Sequence, residues 1–145
     1  MNENIELLNF IYKSSEIGVL SLTNVLKELE DKENRIKKDI SYELSIYEDY
    51  KKKSKILLRK KRATINKNSM MMKLMNKMGV KKEVTNDNSD ASIAHMIIEG
   101  LTMGIVDIET KVNNYKGIVD EDILKIANNY LKFQQNELEK MKKYL

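Results

Sequence analysis

Four carboxylates fall one to each of four predicted helices: Glu16, Glu43, Asp107 and Glu137. Inward carboxylates on facing helices are how a helical bundle holds a pair of metal ions. Such a centre takes a Glu from each of two helices and a Glu-x-x-His from each of the other two. This chain has one histidine, His95. Three residues after Glu43 stands Ile46, and three after Glu137 stands Lys140, so both required histidines are missing. That departure argues against an oxidase built on two metal ions. Glu43 and Glu137 fall on inward stripes, while Glu16 and Asp107 sit at stripe edges. Along an antiparallel bundle their heights differ by roughly 10 Å, wide for one metal centre. Hydrogen bonds from Tyr47, Tyr130 or Ser15 would satisfy a shielded carboxylate equally well. The four remain weak metal candidates, and no cofactor is expected.

Other chemistries are excluded more directly. The chain has no cysteine, so disulfides, thiolate zinc sites and a cysteine nucleophile are ruled out. His95 and Glu99 are spaced i, i+4 but fall on the outward side of their helix, where a solvated pair is the plain reading. Met70, Met71, Met72, Leu74, Met75 and Met78 alternate with Lys73 and Lys77. Thioethers are soft ligands for Cu(I), but without cysteine or a nearby histidine this run reads as packing or as an adaptable binding surface. No Gly-rich phosphate cradle is present. The expectation is a protein that is not an enzyme and has no evident small-molecule substrate.

Charge carries more information. Residues 51–62, KKKSKILLRKKR, hold eight basic residues and no acidic one. Positive charge suits a helix C-terminus, but eight charges exceed that need. Lys51, Lys52, Lys53, Lys55, Arg59, Lys60, Lys61 and Arg62, with Lys73 and Lys77, are the candidate anion- or partner-binding residues. In an up-down-up-down bundle this run, the methionine segment and Lys140, Lys142 and Lys143 would gather at one end, with the acidic residues at the other. The net charge of +4 hides such a polarity. A field of this kind steers an anionic partner, either a protein or an anionic membrane surface. Nucleic acid is disfavoured, because the tyrosines fall mainly on inner stripes and no recognition motif is present. The bland alternative is a solvated basic helix end that keeps the protein soluble.

The elements that must position these residues are helical. A length of 145 residues suits one domain spanning 1–145, and the absence of proline removes the strongest helix breaker. Hydrophobic periodicity predicts helices over 3–30, 34–62, 92–115 and 120–144. A short methionine-rich helix is expected over 70–79, between the second and third. The third is the most apolar and holds Gly100 and Gly104, one turn apart on the face predicted to be buried. Glycine inside a helix costs about 1 kcal/mol relative to alanine, so close helix packing is expected at both, and likewise at Gly18. Glu99, Asp107, Glu109 and Lys111 interrupt the third helix too often for a membrane span. The first ten residues show no basic region followed by an apolar core, so a cytoplasmic protein is expected. A homo-oligomer is also expected, since small residues such as Gly100 and Gly104 serve a dimer contact as well as an internal one.

Four helices with short connections predict an all-α, up-down-up-down four-helix bundle. KSSEIG in the first helix, DNSDASIAHMIIEGLTMGIVDI and the ending KFQQNELEKMKKYL resemble uncharacterised ferritin-like four-helix-bundle proteins of low-GC Gram-positive bacteria. The resemblance spans most of the chain and is specific at GLTMGIVDI. It implies a ferritin-like fold and no particular activity.

Overall fold

A computed structural model describes residues 2–65 and 87–145. These residues form four α-helices and no strand: α1 (Glu3–Glu28), α2 (Lys37–Lys60), α3 (Asp90–Tyr115) and α4 (Glu121–Met141). A short 3₁₀ turn, Lys142–Tyr144, follows α4. The methionine-rich helix expected over 70–79, with Lys73 and Lys77, lies outside the described residues.

Local chemistry sets the helix ends. The Asn2 side chain caps α1 by accepting from Asn4 N, and Ser89 caps α3 by accepting from Ser92 N. Gly117 follows α3 with φ of 81°, a left-handed stop that glycine adopts at no steric cost. Arg62 does the same job after α2 with φ of 56°. There Ala63 N donates to Leu58 O and Arg62 N to Arg59 O, a Schellman closure with arginine in the glycine position. α2 has no side-chain cap of its own. The carboxylate of Asp90, at the start of α3, accepts from Arg35 N at 3.3 Å and Ile36 N at 3.5 Å and caps it from another helix.

The end contacts fix the helix directions. Asn34 Nδ2 donates to Asn88 O and to Asp90 Oδ1, so α3 begins where α2 begins. Tyr115 OH donates to Glu6, Asp120 N donates to Asn4 Oδ1 at 2.7 Å, and Lys61 pairs with Asp120 at 3.9 Å. The end of α3 and the start of α4 therefore lie with the start of α1 and the end of α2. At the opposite end Lys143 pairs with Asp39 at 2.8 Å. The order is thus up-down-down-up, which corrects the expected up-down-up-down order. The short links, 29–36 and 116–120, do join antiparallel neighbours. α3 begins at the end of the bundle opposite to the one where α2 stops.

The two antiparallel hairpins, α1–α2 and α3–α4, pack face to face. Leu7, Leu8, Ile11, Ile40, Leu58, Ile93, Ile108, Ala127 and Tyr130 are fully or almost fully buried between them. At mid-height Tyr47, Tyr50, Tyr130 and Phe133 form an aromatic belt, with edge contacts at 5.0 Å between Tyr47 and Phe133 and between Tyr50 and Tyr130. Gly18 lets the Tyr47 ring lie against α1: a Cβ there would stand 2.6 Å from the ring. At Gly104 a Cβ would meet Gln134 Nε2 at 2.8 Å. Gly100 departs from expectation. It is exposed, with nothing within 4 Å of a Cβ, because it stands about 100° around the helix from the buried Leu101. The outer side of α3 also exposes Met103 and Val106. An 18-residue window of α3 has mean hydropathy 1.4, enough by length and composition alone to cross a membrane, yet the helix packs on α4 and α1.

Candidate functional site

The inward carboxylates come from two helices only. Glu43 on α2 is 1% exposed and Glu137 on α4 is 2% exposed. Each continues an apolar stripe, Glu43 between Ile40 and Tyr47, Glu137 between Tyr130 and Met141. Lys140 bonds Glu137 Oε2 at 3.0 Å, and its ammonium lies 4.0 Å from the Tyr42 ring centroid. Among the described residues Glu43 has no such cation of its own. Burial, reinforced by the nearby Glu137 charge, pushes its carboxyl up to about 8, so it is mainly protonated at neutral pH. Burial also raises Glu137, against the pull of Lys140.

Other buried polar groups lie near this pair. Gln134 Nε2 donates to Tyr47 OH at 3.1 Å, and Ser14 Oγ shares a hydrogen bond with Tyr130 OH at 2.6 Å. Burial drives the Tyr130 phenol far above its ordinary range. A buried Oε1 of Glu43, Glu137 and Gln134 each lacks a hydrogen-bond partner among the described residues. An open cleft of about 280 Å³ between α2 and α4 borders Glu137, with Ile46 and Phe133 in its wall. Tyr42, Asn129, Lys132 and Asn136 also line it.

Glu16 and Asp107 do not join this pair. Glu16 accepts from Tyr12 OH at 3.2 Å and pairs with Lys51 at 3.7 Å. Lys51 lies two turns, about 12 Å, along α2 from Glu43. Asp107 faces solvent. The four-carboxylate metal centre is therefore not assembled. Among the described residues no group of three His, Cys, Asp or Glu side chains is placed to hold a metal ion. His95 stands on the exposed side of α3, 3.3 Å from Glu99.

The basic residues of α2 form a different kind of surface. Lys52, Ile56, Arg59 and Lys60, spaced i, i+4, i+7 and i+8, lie on one outward face, flanked by Lys53 and Lys55. Lys51 is held by Glu16, Lys61 by Asp120, and Lys53 lies 5.5 Å over the Tyr50 ring. Lys52, Lys55, Arg59, Lys60 and Arg62 form no ion pair among the described residues. The expected gathering of all basic segments at one end does not occur. Lys140, Lys142 and Lys143 lie at the far end, beside Asp39, because α4 runs opposite to α2. The acidic start of α4 meets the end of α2 at Lys61. Among the described residues, positive charge is concentrated along the side of α2, not across an end of the bundle.

Sequence reasoning missed Gln134 and Ser14, and it missed the service of Asp90 to α2. Gln134 had a readable signal, since it falls on the α4 stripe one turn from Tyr130. Compared with family models, curated proteins and solved structures, the chain matches none of them.

Proposed function

We propose that this chain is a non-enzymatic helical-bundle protein that docks an anionic partner on the outer face of α2. One observation carries the reading: a run of eight cations with no acid, five of them unpaired among the described residues, of which Lys52, Lys55, Arg59 and Lys60 lie on the outward side of one helix. Unpaired cations on a rigid helix keep their field available for association. The two-hairpin order with one long connection supports a ferritin-like architecture for the bundle.

Retention on an immobilised polyanion tests the docking reading. The wild-type chain is expected to bind heparin resin and to elute with salt. A Lys52→Glu, Arg59→Glu, Lys60→Glu variant should flow through. A control with Lys27→Glu, Lys38→Glu and Lys125→Glu, exposed elsewhere, should bind as wild type. Equal loss in both variants would reduce the reading to net charge alone.

Self-association is a second reading, favoured by the outer side of α3. Gly100 leaves the backbone bare there, and Met103 and Val106 stand 67% and 58% exposed. Light scattering across a concentration series should show a dimer that Met103→Lys disperses.

A further inference from the structure

The cationic part of the exposed α2 face holds one large aliphatic side chain, and its position narrows the partner. Ile56 is 44% exposed and stands one turn from Lys52 and one turn from Lys60, with Lys53, Lys55 and Arg59 around it. We propose that this face seats on an anionic lipid bilayer, with Ile56 entering the headgroup boundary and the surrounding cations reaching the lipid charges. The inference rests on the docking reading above and names its partner.

Three observations support a bilayer. The apolar stripe of α2 is buried in the bundle, so contact falls to its outward face: the cations are drawn to anionic headgroups, and the one aliphatic group among them gains by leaving water. A nucleic-acid strand would want exposed rings for stacking. Here Tyr47 and Tyr50 are turned toward Tyr130 and Phe133, and the exposed Tyr42, ten residues before Lys52, has a ring face taken by the Lys140 ammonium at 4.0 Å. Charge also changes sign along the helix. Glu48 and Asp49 are exposed one turn before Lys52 and Lys53, so a negative surface would repel that part and attract the part beyond it. The C-terminal half of α2 would make the contact, and Arg62, in its left-handed turn, marks its limit.

The chain has no tryptophan, so one placed at position 56 reports only on this site. The full chain carrying Ile56→Trp is mixed with vesicles of phosphatidylcholine alone or with a third phosphatidylserine. Its emission should shift to the blue with the anionic vesicles only, and the shift should fade with added salt. A Met103→Trp probe on α3 should not shift. In co-sedimentation, reversing Lys52, Arg59 and Lys60 together should weaken vesicle binding at least 100-fold, since each basic side chain near such a surface is worth about fivefold. Ile56→Ser should weaken it about tenfold while leaving heparin retention unchanged. Heparin retention without vesicle binding, or vesicle binding without the shift at position 56, overturns the bilayer proposal and leaves the docking reading standing. Loss of both heparin and vesicle binding overturns the two together.

Discussion

Glu43 ties the stability of the protein to pH. Its carboxyl moves from 4.5 to about 8 on folding, so between these values the folded chain holds a proton that the unfolded chain has released. Stability is therefore highest below about pH 4.5 with respect to this group, falls as pH rises toward 8, and levels off above it. By pH 7 the loss is on the order of 3 kcal/mol. Glu43→Gln keeps the shape and removes the charge. Its denaturation midpoint should be above wild type at pH 8, with most of the slope between pH 5 and 8 gone. An unchanged slope would mean that Glu43 is not the group responsible. Gly18→Ala should cost about 1–3 kcal/mol, because the new methyl meets the Tyr47 ring. Glu43 was legible in the sequence because it interrupts an apolar stripe at helical spacing. Gly100 was misread because periodicity says which side of a helix is apolar, and α3 is apolar well beyond the side it buries.

At the scale of elements, the four helices were readable to within a few residues, since stripe, cap and stop agreed. What the sequence did not disclose is how one helix completes another. Asp90 reads as an N-terminal residue of α3, yet its carboxylate serves the bare start of α2. Asp90→Ala should lower stability by about 1–2 kcal/mol, and hydrogen exchange should locate the loosening at the first turn of α2. A change confined to α3 would contradict that role. Arg62 occupies a backbone conformation that favours glycine. Arg62→Gly is expected to stabilise the fold by about 1 kcal/mol, read from thermal unfolding, while removing one cation from the α2 face.

At the scale of the molecule, topology decided where charge collects. Short links imply antiparallel neighbours, but the connection between α2 and α3 is long, and length sets no direction. The expected up-down-up-down order treated that connection like the short ones, and the observed order places Lys140, Lys142 and Lys143 at the opposite end. A chain with no native cysteine makes the test direct. Lys61→Cys with Asp120→Cys should cross-link readily with a short bifunctional reagent, and Lys61→Cys with Lys143→Cys should not. The reverse result would restore the up-down-up-down order and with it a basic end.

Each hairpin finds most of its neighbours within itself, and the two meet along the belt of Tyr47, Tyr130, Phe133 and Gln134. That seam does not record which chain supplied each half. Refolded at high concentration, two chains can trade hairpins and close the same seam twice, giving an exchanged dimer with no contact that the monomer lacks. Because Ser14 and Gln134 fix the height at which the halves meet, the exchanged form would keep the same register. Such a species would interconvert only as slowly as a whole hairpin can be released.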